Sequence, residues 1–260
     1  VPENDNFRLV SFQGMNQKGR IHDIIQLDDG KIVCVVANAG IFWVDAQTMK
    51  GYPLLTESDV FNPSNSYSLF EDSRKQLWIG TDREGVVRID LATHKGKQYS
   101  SVSSTVSDIV EDRDGHIFVI STQAVSRWDA KSDSFFPLPY EGSPQGIQYR
   151  SAILTDRGDV LVGTYGHGLC HVNQGGKELV GADAFANTFL DMGQTKVNVL
   201  FEDRHRNLWI GCQYQGVLVR GHRPTPFVFW KSPASHSKVP GHINALYCDS
   251  RNNVWCTVEG

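Results

Sequence analysis

The sequence predicts an all-β protein, a β-propeller built from four-stranded blades of about 44 residues each. Two markers carry this reading. An aspartate opening the first turn of each unit falls at Asp28, Asp72, Asp112, Asp156, Asp203 and Asp249, in steps of 44, 40, 44, 47 and 46 residues. A small residue at the start of the third strand keeps the same period, at Gly40, Gly85, Ala124, Gly168, Gly216 and Gly260. A repeat of that length is one supersecondary unit that buries its apolar faces only against its neighbours. The markers define five full blades and a partial sixth.

Each unit reads as strands a to d, counted outwards from the propeller axis. Strand a precedes the aspartate and is expected at 21–27, 67–70, 106–110, 150–154, 197–201 and 243–247. Strand b follows the turn, at 32–36, 77–80, 117–120, 160–163, 208–211 and 254–257. Strand c follows the marker, at 41–45, 86–90, 125–129, 169–173 and 217–220. Strands b and c are near-continuous apolar runs, as strands covered on both faces are. The turns between a and b carry Asp28-Asp29-Gly30, Asp112-Arg113-Asp114-Gly115 and Asp156-Arg157-Gly158, which supply the positive φ of a tight hairpin. Strand d shows only aromatic hints, at Tyr52-Pro53-Leu54, Gln98-Tyr99, Phe135-Phe136 and Phe227–Trp230. In the fourth unit Ala182–Met192 occupies the place of strand d and reads as an insertion around it.

Both ends add expectations. Phe7–Phe12 resembles a stray d strand, of the kind that completes a blade built by the other terminus. The chain stops at Gly260, where a third strand should begin, so residues 1–260 are expected to form part of a longer protein with a ring of about seven blades.

Composition excludes some functions. The chain has 260 residues, 40% hydrophobic and 21% charged, with a net charge of −4, which does not suit a nucleic-acid groove. It contains no run of about 18 apolar residues to span a bilayer. The five cysteines, Cys34, Cys170, Cys212, Cys248 and Cys256, lack ligand spacing and read as small buried hydrophobes. Glu111–Gly115 begins like a calcium loop but lacks the distal glutamate, so no metal is expected. There is no GxSxG, P-loop, HExxH or dinucleotide motif, and no cofactor is expected.

The runs LFEDSRKQLWIGTDREGVVRID (69–90) and LFEDRHRNLWIGCQYQGVLVR (200–220) resemble the two-component regulator propeller repeat. That repeat forms the periplasmic sensor region of hybrid two-component histidine kinases of Bacteroidetes. The likeness extends over Phe7–Gly260. The third unit departs from it with Ala124 and Phe118, and the fourth with a shortened turn. The resemblance implies a periplasmic, non-catalytic sensor for polysaccharide breakdown products that controls carbohydrate-utilisation genes. It also implies a second propeller, an immunoglobulin-like domain and a homodimeric receptor as partners, with no direct nucleic-acid contact by this segment.

Candidate ligand-binding residues come from the turns between b and c, which open with the d–a connections on one face of a propeller. They are Asn38, Asp82, Arg83, Glu84, Tyr165, His167, Gln213, Tyr214 and Gln215. Aromatic faces suit sugar stacking, and amides and charges suit hydroxyls. The bland alternative is a set of solvated turn residues. Trp78, Trp209 and Trp255 share one strand-b position and read as packing, while the turn aspartates read as caps. A propeller lyase or glycosidase is the second reading, but it needs convergent acids or a histidine near the axis, and Asp82-Arg83-Glu84 supplies acids in one blade only. A WD- or kelch-type scaffold fits badly, because Trp128-Asp129 and Gly175-Gly176 do not recur. Extending the chain by roughly 50–100 residues, one or two repeats, should raise its melting temperature sharply in a thermal scan; an unchanged midpoint would refute the longer ring.

Overall fold

The computed structural model describes residues 9–15, 19–55, 57–93, 95–140, 146–173, 175–181, 195–221, 228–230, 242–248 and 254–259, the last three segments as backbone. The expectations for Phe7, Arg8, Ala182–Met192, Phe227, Asp249, Gly260 and the Trp255 side chain lie outside this set. The chain forms five four-stranded antiparallel blades and two strands of a sixth, the all-β propeller architecture. It divides into two compact units, residues 1–109 and 110–260.

The first unit holds two blades. Blade one comprises β1 (Ser11–Phe12), β2 (Ile21–Gln26), β3 (Ile32–Val36), β4 (Gly40–Asp45) and β5 (Lys50–Leu55) in the order β1-β5-β4-β3-β2. A 3₁₀ turn at Pro63–Asn65 leads into blade two: β6 (Ser66–Glu71), β7 (Leu77–Thr81), β8 (Val86–Ile89) and β9 (Gly96–Tyr99), in sequence order. The unit boundary falls within β10 (Val106–Glu111), which starts blade three with β11 (Ile117–Ser121), β12 (Val125–Asp129) and β13 (Ser134–Pro137). Blade four is β14 (Tyr149–Leu154), β15 (Val160–Thr164), β16 (Leu169–Val172) and β17 (Leu179–Gly181). Blade five is β18 (Val197–Glu202), β19 (Leu208–Cys212), β20 (Gly216–Arg220) and β21 (Val228–Trp230). Finally β22 (His242–Cys248) pairs with β23 (Val254–Glu259).

The second strand of each blade explains the continuous apolar runs. In blade four Val160 and Val162 pack towards blade three, with Phe118 and Ile120, while Leu161 packs towards blade five, with Leu200, Leu208 and Ile210. In the first unit Val33, Val35 and Ile41 join Leu69, Leu77, Ile79 and Val87 in one core. At Gly80 the neighbouring strand comes so close that an added Cβ would lie 2.5 Å from Val106 Cγ1 and 2.2 Å from Ser68 Oγ. The three cysteines among the described side chains, Cys34, Cys170 and Cys212, are buried and free, and burial pushes their thiols up to about 11, 12 and 12. They are inert packing groups, as the sequence predicts.

Two expectations need correction. The N-terminal segment does not stand in as strand d of a blade. Ser11–Phe12 adds instead as a fifth, parallel strand on the outer edge of β5. Gly51 makes room for it: a Cβ there would lie 2.2 Å from the Phe12 ring, which packs edge-on against Phe42 at 5.3 Å. Strand d of blade four is Leu179–Gly181, and the expectation for 182–192 lies outside the described residues. The chain reverses early, because Asn173 Oδ1 accepts the Lys177 N–H and the Asn173 carbonyl accepts the Gly176 N–H.

The aspartate ruler also shifts in two blades. The backbone pattern around Asp72, with its N–H donated to the Gln76 carbonyl and its carbonyl accepting the Lys75 N–H, recurs at Asp112 and Asp203. In blades one and four the same pattern centres on Leu27 and Thr155, one residue before Asp28 and Asp156. The fourth residue of each of these five turns (Gly30, Lys75, Gly115, Gly158, Arg206) then has positive φ, between 63° and 92°. Asp28 and Asp156 serve another purpose. Each donates its N–H to a glutamate of the next blade, Glu71 or Glu202, and pairs its carboxylate with Lys75 or Arg206.

At the true turn position the carboxylate is a clamp. Asp72 Oδ1 accepts the N–H groups of Arg74 and Gln76, both at 2.9 Å, and Oδ2 accepts Trp78 Nε1–H at 2.8 Å. Asp203 repeats this with His205, Asn207 and Trp209. Blade three has Phe118 in place of the tryptophan, and His116 Nδ1 takes its place on Asp112 Oδ2 at 2.8 Å. Asp112, Asp114 and His116 therefore lie within 4.8 Å of one another as parts of a turn, which accounts for their grouping without a metal.

Burial pushes the Asp203 carboxyl up, but the hydrogen bonds from Trp209, Asn207 and two backbone N–H groups outweigh it and hold it below the usual range. Its stabilising contribution is complete above the unfolded pKa of about 3.9 and is lost as pH falls through the lower folded value. Wild type should therefore exceed Asp203→Asn in melting temperature near neutral pH, by a margin that shrinks below about pH 4. In chemical denaturation Asp72→Ala, which strands the buried Trp78 N–H, should cost about 2–3 kcal/mol. Asp28→Ala, which removes an exposed ion pair, should cost under about 1 kcal/mol.

Candidate functional site

One backbone tie fixes the face on which the candidates lie. In four blades the first residue of the b–c turn donates its N–H to the carbonyl of a residue at or just before the start of strand a: Ala37 to Arg20, Asp82 to Asn65, Tyr165 to Gln148 and Gln213 to Lys196. The b–c turns and the d–a connections are therefore bound together, as expected. A hydroxyl closing strand b adds a second tie. Thr81, Ser121 and Thr164 each donate to the carbonyl of the turn's closing residue, Gly85, Ala124 and Gly168. Blade three has one residue fewer in this turn, which is why Ala124 does without the positive φ that Gly40, Gly85, Gly168 and Gly216 adopt.

The nine candidates fall into two groups, one in each unit. In the first unit Asn38 is an exposed turn residue with φ 59°. Glu84 accepts Asn65 Nδ2 at 2.5 Å, and Asp82 accepts Thr105 Oγ1 at 2.6 Å. Both acids thus tie their turn to other loops of the first unit. Arg83 Nε lies 3.9 Å from Asp82 Oδ1, with 81% of the Arg83 side chain exposed and φ 67°. Below this turn His22 and Tyr67 stack at 4.5 Å. Burial and the charge of Arg20 push the His22 imidazole down, against Asp82, which pulls it up.

The second unit gathers Tyr165, Gln213 and Tyr214 around two cations absent from the sequence-based set. Lys196 Nζ lies 4.4 Å from the centre of the Tyr165 ring and 5.5 Å from that of Tyr214. Arg150 lies 5.1 Å from the same Tyr165 ring. Gln213 Nε2 donates to the Tyr214 hydroxyl at 3.2 Å, and the Tyr214 ring is 61% exposed. His167 and Gln215 share the two turns, and the His167 N–H is held by Thr164 Oγ1. The antiparallel bridge between Tyr165 and Lys196 draws the turns of blades four and five together.

Arg150 and Lys196 escaped sequence reasoning because they belong to strand a and the residue before it, not to a b–c turn. A signal existed. Aligned on the corrected turn position, Arg150 occupies a strand-a site that holds His22, Tyr67, Ser107 and Asn198 in the other blades. That column is polar or amphipathic and varies from blade to blade.

Residues 61–83 match the family described as two component regulator propeller. No curated protein is significantly similar in sequence. Among solved structures, the chain resembles the extracellular domain of BT4673 from B. thetaiotaomicron, described as a hybrid two component system. The TM-score is 0.71 at 19% identity, over 94% of this chain and 32% of that one. The extracellular domain of BT3049 from B. thetaiotaomicron gives 0.74 at 15% identity, over 95% and 33%. Virginiamycin B lyase from Staphylococcus aureus gives 0.70 at 14% identity, over 93% and 78%. The chain spans about a third of the length of the first two relatives. These likenesses carry the propeller fold, and the match at 61–83 carries the repeat. The chain folds as a β-propeller, and its residues 61–83 match the two component regulator propeller repeat.

Proposed function

We propose that the chain is the ligand-sensing part of an extracytoplasmic, periplasmic receptor of the hybrid two-component type, without catalysis of its own. The reading rests on the match at 61–83 and on the resemblance to two extracellular domains described as hybrid two component systems. The observation that carries it to residues is the cluster at Tyr165, Gln213 and Tyr214. Two aromatic rings, an amide and two cations on loops tied to rigid blades form a recognition surface. The proposed ligand is an oligosaccharide released from a polysaccharide, and the output is control of carbohydrate-utilisation genes. Partners in this reading are the rest of the sensor chain, with a second propeller and an immunoglobulin-like domain, and a second receptor copy.

Signalling requires the ligand to bind two receptor states with different affinity, since equal affinity shifts nothing. Loops of blades four and five that share Lys196 give such a ligand two elements to hold at once. A propeller lyase is the competing reading, drawn from the fold shared with virginiamycin B lyase. It requires turnover, whereas a sensor returns its ligand unchanged.

Replacing Tyr165 and Tyr214 together by alanine should abolish ligand-induced reporter expression from the full receptor while leaving its level in the membrane unchanged. Full induction by the double variant would remove this cluster from the site. Chromatography of incubated oligosaccharides should show no new products; a product formed in proportion to protein would establish a lyase or glycosidase instead.

A further inference from the structure

We infer that the blade four–five surface selects anionic sugars, uronate-bearing or sulfated, through Arg150 and Lys196; this rests on the sensor reading above. The first observation is charge without a counter-charge among the described residues. Among the described residues no ion pair or hydrogen bond engages the Arg150 or Lys196 side chain, and Arg150 Nε is buried with no acceptor. The described segments that build this surface, 146–154, 160–168, 195–201 and 208–217, contain no aspartate or glutamate. The acids on the same strands stand near their opposite ends, at Asp156, Asp159, Glu202 and Asp203. Six residues of strand separate Lys196 from Glu202, a rise of about 20 Å. That is more than twice the screening length of about 8 Å at physiological salt.

The second observation is what the cations rest on. Tyr165 carries both of them over its ring, and Lys196 also reaches Tyr214. Cation–π contact is a weak substitute for an anion, so it holds the two side chains in place without neutralising them. A guanidinium with unspent donors matches a carboxylate or sulfate in two-point geometry, and an ammonium adds a compact second charge. The exposed Tyr214 ring and the Gln213–Tyr214 pair remain for the sugar's apolar face and hydroxyls. The first unit offers a different surface on its corresponding turns, where Arg83 stands beside Asp82. An acidic sugar is therefore expected to prefer the second.

The test is calorimetric titration of the purified protein with three probes: oligogalacturonides, chondroitin sulfate oligomers and neutral malto-oligosaccharides. At least one acidic probe should bind, at least about 10-fold more tightly than the neutral one, with affinity falling as salt is raised. Lys196→Gln should weaken that binding about 10-fold or more, as loss of a charged contact does. Arg150→Gln should do the same where a thermal scan shows it folded, and the salt dependence of wild type needs no variant. The two acidic arms tell carboxylate from sulfate recognition. Neutral binding equal to acidic binding, or an unchanged Lys196→Gln, would overturn the anion preference and leave the sugar sensor standing. Absence of binding to every probe would overturn both.

Discussion

The structure depends on one constraint, the burial of each blade's second strand on both faces. Val160, Leu161 and Val162 show the consequence within three residues, with alternate side chains committed to cores on opposite sides. Polar side chains enter such a strand only at its end, as Thr81, Ser121 and Thr164 do, and Gly80 shows that even a Cβ is excluded where the neighbour comes closest. The recurring Leu-Trp-Ile-Gly run is the sequence image of that constraint. It leaves little freedom in the strands and transfers all of it to the turns at either end.

The two ends use that freedom differently. At the a–b end a carboxylate gathers backbone N–H groups and an indole or imidazole nitrogen, and the turn is structural in the three described blades that have the acid there. Blades without it substitute Leu27 or Thr155 and move their aspartate one place along, into contact with the next blade. At the b–c end the backbone tie to the residue at or just before strand a performs the structural work. Side chains there are free to differ, and they do. The first unit spends Asp82 and Glu84 on its own loops. The second leaves two cations on aromatic rings with no acid in their segments.

The candidate set drawn from the sequence divides in the structure for a definite reason. Searching the turns for residues that break the repeat finds Tyr165, Gln213 and Tyr214, which the structure brings together. It also finds Asp82 and Glu84, which break the repeat but are taken up by Asn65 and Thr105. It misses Arg150 and Lys196, because their spacing places them on or beside a strand and not in a turn. Contact across blades, through the bridge between Tyr165 and Lys196, is what makes them neighbours.

The sequence by itself determined the blade, its period and the fold class, because double-sided burial writes an apolar signature that repeats about every 44 residues. It also marked the inner and outer order of strands and the inertness of the cysteines. Only the tertiary structure decided where the N-terminal strand attaches, which residue begins each turn, and which polar groups of separate blades converge. Those outcomes depend on space and on hydrogen-bond partners far apart in the chain. Gly51 offers a slot to Phe12, and Asn173 reverses the chain before Leu179. Lys196 meets two tyrosines from two turns. A repeat pattern records what every blade must do, and contacts peculiar to one blade leave no period to read.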